Sequence, residues 1–346
     1  MLATAALVHW LRWPKGFFGS VELGHTFGIL GSWDGVWYRT VATQGYLLIP
    51  GRQSDPAFFP LYPILLRGAH TLGLPYLAAG IVISNLAFAI AVIGLYELGR
   101  SVVPEDVAWR AALLAAAFPV GFVFSMLYPE SIVFAALVLA LLFAVRGRWL
   151  ASAAAGSIAA LGRPEAVLFV IPVAALAYER WRQLTPQQRA EAFGAVVAPG
   201  AAAATFPLYL GWTLHNFYAW SWAQRAWGRS FQPTGIVNAF TRLGTFVGAN
   251  HWLIRDVVFA GLYVVLLVLA RRVGIGLAWI AAGALIVLLP LTSGSFVSDS
   301  RFGLLAIPAY WGLASLARGR GALVALLSLS TMLLVAGTMT LPWMYP

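Results

Sequence analysis

One carboxylate stands among aromatic side chains in the first long polar stretch of this chain. The stretch Trp33–Tyr46 reads WDGVWYRTVATQGY, and Asp34 is its only acidic residue. A carboxylate within hydrogen-bond reach of a hydroxyl can accept its proton while the oxygen forms a new bond. Tryptophan and tyrosine concentrate at membrane–water interfaces. The stretch therefore suggests an active site at a membrane face, with Asp34 as its candidate general base.

Further ionisable residues lie at the edges of apolar runs. They are Asp55, Glu130, Arg163, Glu165, Arg225, Arg229, Asp299 and Arg301. An ionisable residue costs about 2.5–3.5 kcal/mol at the centre of a membrane helix and usually persists because it faces a cavity or a partner. We therefore expect these side chains to converge with Asp34 on one face of the membrane.

Each of these residues also has a purely structural interpretation. Asp34 could be the N-cap of a helix, where aspartate is favoured. Glu130 and Glu165 each follow a proline, a position where a carboxylate complements the first turn of a helix. Arg163 could pair with Glu165 merely to bury both charges. Ordinary loop charges could account for three other arginines: Arg225, Arg229 and Arg242.

The composition places the whole chain in a membrane. Of the 346 residues 61% are hydrophobic and 10% are charged, and the mean hydropathy is +0.81. These values lie well outside the range of soluble domains. The sequence contains no cysteine, which excludes disulfides and a thiol nucleophile. We therefore predict an all-α, polytopic membrane protein.

The basic residues indicate how the chain is threaded. The net charge is +10, but the arginines fall mainly in short gaps between apolar runs, so we expect no nucleic-acid partner. The gaps are Arg100–Arg110, Arg146–Arg148, Arg180–Arg189, Arg271–Arg272 and Arg318–Arg320. Short loops rich in arginine and lysine face the cytoplasm. These five gaps are therefore predicted to be cytoplasmic.

With the gaps inside, the sequence threads as one membrane domain, residues 1–346, with about eleven transmembrane helices. The predicted spans are 2–13, 76–99, 108–125, 129–145, 149–162, 164–180, 193–212, 252–270, 274–292, 301–317 and 322–341. The first is interpreted as a retained helix rather than a signal peptide. Two external loops remain, at about 14–75 and 213–251. The proline-interrupted segment 57–73 in the first loop is predicted to be an interfacial helix.

Six motifs, in this order, resemble those of the PIG-V-type mannosyltransferases, the relatives of GPI mannosyltransferase II. They are Trp33-Asp34 with Gly45-Tyr46, Phe58–Pro63, Tyr128–Ser131, Gly162–Pro164, Gln224–Arg229, and Ser300–Phe302 with Pro308. The resemblance implies the C-type glycosyltransferase fold. It also implies an inverting enzyme that moves mannose from a polyprenyl-phosphate carrier to a hydroxyl acceptor on a glycan, lipid or protein, outside the cytoplasm. Asp34 matches the catalytic acidic residue of the first external loop. The compact length suggests a bacterial enzyme of the cytoplasmic membrane.

Such a reaction needs cations at the leaving phosphate. Guanidinium groups bind phosphate in a bidentate fork, and the candidates are Arg163, Arg225, Arg229 and Arg301. Glu130 and Glu165 could hydrogen-bond sugar hydroxyls, orient an arginine, or bind a divalent ion together with Asp34. We favour orientation, because hard cations generally need several oxygen ligands and no dense carboxylate cluster is present. No cofactor is predicted, although a divalent metal is possible.

The remaining substrate-binding candidates are mostly aromatic. Four of them could stack on sugar faces or anchor the loop at the interface: Trp33, Trp37, Tyr38 and Tyr46. Three others lie in the matched motifs: Tyr128, Gln224 and Trp227. The segment Phe58–Leu66 could form the surface along which the prenyl chain and membrane lipids approach.

The sequence departs from the family pattern at three positions. Pro129 stands where a small or hydroxyl residue is common, Glu165 where a small or polar one is usual, and Phe302 replaces a frequent tyrosine. Two other functions fit the composition: a flippase or transporter for lipid-linked sugars, and an accessory subunit that binds a prenyl-linked substrate. A transporter often shows inverted halves with binding groups near mid-membrane. Here the polar residues gather at one face, which favours the enzyme.

Overall fold

A computed structural model describes residues 1–10, 26–249 and 253–346. Within these ranges the protein is helical and has no β-strand. The seventeen α-helices are α1 (Leu2–Trp10), α2 (Asp34–Gln44), α3 (Leu61–Thr71), α4 (Tyr76–Val102), α5 (Glu105–Ala116), α6 (Glu130–Val145), α7 (Trp149–Gly162), α8 (Val170–Arg180), α9 (Pro186–Thr213), α10 (Ala219–Ala226), α11 (Gly235–Thr241), α12 (Leu243–Ala249), α13 (Leu253–Ala270), α14 (Leu277–Leu288), α15 (Asp299–Phe302), α16 (Ile307–Ala314) and α17 (Arg320–Thr340). Short 3-10 helices occupy Gly28–Gly31, Asp55–Ala57, Gly121–Ser125, Pro164–Phe169, Trp181–Gln183, Arg271–Val273, Pro290–Ser293 and Gly303–Leu305.

Four helices of the described residues are long and apolar enough to cross a membrane. They are α4, α9, α17, and α13 with the 3-10 turn that follows it. Three shorter apolar helices, α6, α7 and α14, pack among them. The prediction of an all-α protein with membrane character is confirmed at this level, whereas the count of eleven spans remains a prediction.

Prolines interrupt three of the predicted spans: 108–125, 164–180 and 301–317. In the first, α5 ends three residues before Pro119, and only a 3-10 helix follows. In the second, Pro164 starts a 3-10 helix that precedes α8. In the third, Pro308 lies in the first turn of α16, where proline is tolerated but cannot continue a helix from upstream. The structure therefore divides each of these three predicted spans into shorter helices.

The two predicted external loops contain short helices. α2 and α3 lie in the first, and α10, α11 and α12 lie in the second. α3 falls within the predicted interfacial helix and buries Tyr62 and Leu66, while Ile64 is exposed. Its 11 residues span only about 16 Å, too short to cross a bilayer. Residues 11–25 and 250–252, which include the end of the first predicted span, lie outside the described residues.

Several of the arginine-bearing gaps meet at one end of the helix bundle. Arg146, just after α6, pairs with Glu97 of α4 at 2.8 Å. Arg180 at the end of α8 donates a hydrogen bond to the Val145 carbonyl at 2.8 Å, and Arg110 of α5 donates to the Ala317 carbonyl at 2.7 Å. The opposite end of α6 begins at Glu130. Since 16 residues of helix measure about 24 Å, Glu130 lies far from this basic end.

α13 and α16 pack with almost no space between their backbones. A Cβ atom added to Gly312 of α16 would lie 1.8 Å from the Leu266 carbonyl oxygen of α13. Small residues permit such close helix contacts in membranes. This contact matters for the site because α15, described below, is joined to α16 and is fixed against α13.

We expect Gly312→Ala to force these two helices apart and to lower the stability of the protein. Overpacking of this kind typically costs about 1–3 kcal/mol, which should appear as a lower thermal unfolding midpoint in detergent. Gly261→Ala on α13 is the matched control, because a Cβ there meets nothing within 4 Å and alanine favours a helix. Equal unfolding midpoints for the two variants would show that this close contact does not stabilise the fold.

Candidate active site

Asp34 is the first residue of α2. Trp33, just before it, has a φ of 58°, in the left-handed region that bulky residues rarely adopt. The backbone N–H of Asp34 donates a hydrogen bond to the Tyr128 hydroxyl at 3.0 Å. The alternative in which Asp34 is a helix N-cap is wrong, because Trp33 occupies the cap position and the Asp34 carboxylate bonds elsewhere.

The Asp34 carboxylate accepts hydrogen bonds from two side chains that are distant in sequence. Arg301 donates through Nη1 at 2.7 Å. The Tyr345 hydroxyl lies 2.8 Å from Oδ1 and 2.9 Å from Oδ2. Only 7% of the Asp34 side chain is exposed. Hydrogen bonds from a guanidinium and a hydroxyl hold the carboxylate in a fixed orientation.

Arg301 is positioned by a buried turn that Asp256 organises. The Asp256 carboxylate accepts hydrogen bonds from the backbone N–H groups of Ser298 and Ser300, at 2.9 and 3.3 Å, and from the Ser300 hydroxyl. Tyr263 donates to the Ser300 carbonyl at 2.8 Å. Ser298 has a φ of 69°, so unusual backbone precedes both Arg301 and Asp34. Backbone of this kind is found at functional sites, where the surrounding contacts stabilise it.

A chain of ion pairs continues from Arg301 into the protein. Glu130 is fully buried, lies 3.3 Å from the Arg301 Nε, and accepts a hydrogen bond from Arg163. Arg163 also donates to Glu165. The pairing of Arg163 with Glu165 that the sequence suggested is therefore present, and it belongs to a larger network that reaches Asp34. Glu130 has the contacts expected of an orienting carboxylate.

Three guanidinium groups surround the ring of Phe302. The guanidinium carbons of Arg163, Arg229 and Arg301 lie 4.4, 4.6 and 5.3 Å from the ring centroid. The negative face of an aromatic ring attracts cations at such distances. The aromatic side chain thus lets three like charges approach one another.

The network lies against a cavity of about 1100 Å³, at the upper end of the volumes typical of ligand sites. Nine of the predicted residues line it: Asp34, Tyr38, Arg163, Glu165, Gln224, Arg225, Trp227, Arg229 and Arg301. The expected gathering of these side chains around Asp34 is thus what the structure shows.

Five predicted residues are not among those that line the cavity: Trp33, Trp37, Tyr46, Tyr128 and Glu130. The Trp33 indole N–H donates to the Leu341 carbonyl at 2.8 Å. Trp37 stacks on Phe58 at a centroid distance of 5.8 Å, and the Tyr46 hydroxyl donates to the Phe58 carbonyl at 2.9 Å. These side chains hold protein segments in place, and neither sugar stacking nor anchoring at the membrane interface is tested by these contacts.

The arginines around the cavity differ in how their charges are balanced. Arg163 and Arg301 are both paired with carboxylates. Arg225, Arg229 and Arg242 also line the cavity, and none of them has a carboxylate within 4.0 Å among the described residues. Burial lowers the pKa of Arg229, so its charged form is penalised there. An anionic ligand would offset that cost.

Sequence reasoning missed three residues of the site: Tyr345, Asp256 and Arg242 as a cavity residue. Tyr345 follows the last predicted span, on the face where Asp34 was placed, and that shared location was the available signal. Asp256 lies at the start of a predicted span, where an acidic residue usually marks a buried partner. Phe302 was noted only as a departure from a family motif. Among the described residues, no three His, Asp or Glu side chains lie close enough to hold a metal ion.

Comparison with known proteins adds no assignment: no family model and no curated protein matches this chain. The resemblance to the PIG-V-type mannosyltransferases therefore stays a prediction from the six sequence motifs.

The segment 46–58 contributes Ala57 and Phe58 to the cavity wall and contains a buried acid. Asp55 accepts a hydrogen bond from the Leu47 N–H at 2.7 Å. The segment is tied to the second predicted loop through Gln224, which donates to the Ala57 carbonyl at 3.0 Å, and Trp227, which donates to the Ser54 carbonyl at 3.2 Å. Burial raises the pKa of the Asp55 carboxyl from 3.8 to about 6.

We expect this segment to become less stable as the pH rises through about 6. The raised pKa means that the folded segment favours the protonated acid, so this stabilisation is fully present below pH 3.8 and is lost above about 6. Amide hydrogen exchange in residues 46–58, corrected for its intrinsic pH dependence, should quicken over that range. Asp55→Asn, which stays neutral, should remove the change. If hydrogen exchange in Asp55→Asn still quickened over this pH range, the change would be due to a group other than Asp55.

Proposed function

We propose that this protein is an inverting glycosyltransferase that moves mannose, or a related hexose, from a polyprenyl-phosphate carrier to a hydroxyl acceptor. One observation carries the proposal. A single cavity presents the Asp34 carboxylate together with three arginines that lack carboxylate partners in the described part of the chain. A carboxylate beside an anion-binding surface matches the two needs of this reaction, a base for the acceptor and cations for the leaving phosphate.

The presence or absence of carboxylate partners supports two different roles for the arginines. In this proposal Arg225, Arg229 and Arg242 bind the donor phosphate, since their charges are otherwise unbalanced. Arg163 and Arg301 orient the buried carboxylates. Of the four phosphate contacts suggested by the sequence, this assignment keeps Arg225 and Arg229. It adds Arg242 as a third contact.

In the proposed reaction the acceptor oxygen attacks the anomeric carbon from the side of Asp34. The new carbon–oxygen bond forms as the bond between the anomeric carbon and the phosphate oxygen breaks. The acceptor proton passes to the Asp34 carboxylate, and the electron pair of the broken bond leaves with the prenyl phosphate. Positioned guanidinium groups stabilise the charge that develops on this leaving group.

The remaining lining supports a lipid-linked donor. Apolar side chains of the same cavity include Phe58, Phe59, Leu168 and Leu289, and we propose that the prenyl chain lies along them. Of the segment Phe58–Leu66 suggested earlier, only Phe58 and Phe59 line the cavity, whereas Tyr62 and Leu66 are fully buried in the core.

The proposal includes a single C-type glycosyltransferase domain over residues 1–346 with about eleven spans, in the cytoplasmic membrane of a bacterium. The arginine-bearing turns and the candidate site lie at opposite ends of α6. Since positively charged turns face the cytoplasm, the site would face outside. The acceptor remains defined only by its hydroxyl group, on a glycan, a lipid or a protein.

We predict that Asp34→Asn abolishes sugar transfer and retains donor binding. Loss of a general base typically lowers the rate by about 10²–10⁴-fold. The assay would follow labelled mannose from synthetic polyprenyl-phosphate mannose, with protein in nanodiscs and a crude lipid and glycan extract as acceptor. Asp106→Asn is the matched control, because its side chain is 60% exposed at the basic end.

Transfer by the wild type that collapses only in Asp34→Asn supports the proposal. Donor binding without transfer by the wild type contradicts it and favours the flippase or the accessory subunit. In that case movement of the lipid-linked sugar across the bilayer of proteoliposomes would separate those two functions.

We further predict that Arg229→Gln weakens binding of polyprenyl-phosphate mannose about 10- to 100-fold, the usual value of a charged hydrogen bond. Arg52→Gln, an exposed loop position, should bind the donor as the wild type does. Both affinities can be measured by titration in nanodiscs. Equal donor affinity in the two variants would refute the role assigned to Arg229.

A further inference from the structure

The segment after α17, residues 341–346, reaches back over the candidate site. Its Tyr345 hydroxyl donates to the Asp34 carboxylate, 2.8 Å from Oδ1 and 2.9 Å from Oδ2. Arg301 donates to the same hydroxyl through Nη2 at 3.3 Å. The phenol thus makes the contacts that the hydroxyl of an acceptor would make: it donates to the carboxylate and accepts from a guanidinium.

Three further contacts hold this segment down. The Trp33 indole N–H donates to the Leu341 carbonyl at 2.8 Å, and the Trp33 ring meets the Tyr345 ring edge-on at a centroid distance of 5.4 Å. Arg255 donates to the Tyr345 carbonyl. Leu341 is buried, whereas Trp343 is 38% exposed. Pro342 and Pro346 are buried as well, so the segment is held at both ends and Trp343 is its exposed position.

Withdrawal of the Tyr345 hydroxyl would not leave the Asp34 carboxylate without a charged partner. Asp34 would keep its 2.7 Å hydrogen bond from Arg301, and only a neutral phenol would leave. Burial, and to a smaller extent the Asp34 carboxylate, raise the pKa of Tyr345 to about 12, so the phenol remains a hydrogen-bond donor at neutral pH. This contact can open at low electrostatic cost.

We infer that the Tyr345 hydroxyl holds the place of the acceptor hydroxyl on Asp34, and that residues 341–346 form a strap that withdraws when the acceptor binds. The inference rests on the proposed function for the identity of the acceptor. It locates the acceptor site between Asp34 and Arg301. The strap would also select among acceptors, because only a hydroxyl that competes with the Tyr345 phenol could reach the Asp34 carboxylate.

The first test measures binding of octyl α-mannoside, a membrane-soluble glycoside with free hydroxyls, to protein in nanodiscs. Tyr345→Phe removes the competing hydroxyl and should bind the probe about 10-fold more tightly, the scale of a hydrogen bond to a charged group. Tyr218→Phe, an exposed tyrosine of the second predicted loop, should bind as the wild type does. Equal affinity of wild type and Tyr345→Phe, or no binding by either, overturns the inference.

A double-mutant cycle tests whether the effect passes through Asp34. In an Asp34→Asn background the added Tyr345→Phe change should alter probe affinity by less than about twofold, because the shared partner is altered. A full gain in that background would place the competition elsewhere and overturn the assignment to Asp34.

Labelling of the strap gives a readout that is independent of affinity. The chain has no cysteine, so the thiol of Met344→Cys would be unique and could be followed with a maleimide. Octyl α-mannoside should speed its labelling, and an unchanged or slower rate would overturn the strap. Neither measurement requires sugar transfer. If the binding and labelling results were as expected but no mannose were transferred, the proposed enzyme activity would be contradicted. The inference that residues 341–346 form a strap would still be supported.

Discussion

A buried guanidinium shared between two carboxylates holds the candidate site together. Arg301 is 3% exposed and contacts Asp34 on one side and Glu130 on the other. Because an unpaired buried charge costs several kcal/mol, displacing Arg301 would leave the Asp34 carboxylate without an ionic partner, whereas Glu130 would keep Arg163. Asp34, Glu130 and Arg301 begin or lie in α2, α6 and α15, so this pairing also fixes how three separate helices meet at the cavity.

Much of the helical framework could be predicted from the sequence, but fewer of the contacts between the side chains of the site. α7 occupies the predicted span 149–162, because a basic turn at one end and Pro164 at the other mark its limits. Asp34, Arg163 and Arg229 were expected on one face, and they line one cavity. Tyr345 was missed because its contact with Asp34 joins positions 311 residues apart, and no periodic pattern encodes such a contact. Asp256 was missed for a related reason, since its partners are backbone N–H groups of a distant turn.

Arg163 and Arg229 are both candidate phosphate contacts in the sequence, but they differ in whether they pair with carboxylates. Removing Arg163 would leave Glu130 and Glu165 without their shared partner, so a loss of function there would report damage to the network. Arg229 instead stacks on Phe302 and donates to Ser298 at 3.1 Å. Its loss would leave every carboxylate pair intact. Of these two arginines, Arg229 is therefore the one whose substitution can report on a ligand.

In the proposed orientation, the length of α6 would set the depth of the cavity in the bilayer. Its 16 residues place Glu130 about 24 Å from the basic end, whereas the hydrocarbon core is about 30 Å thick. In the proposed orientation the charged network therefore lies several ångströms below the outer surface of the hydrocarbon. A lipid-linked sugar would not need to be lifted out of its leaflet. Its head group would only have to sink sideways into the protein while the prenyl chain stayed among the lipids.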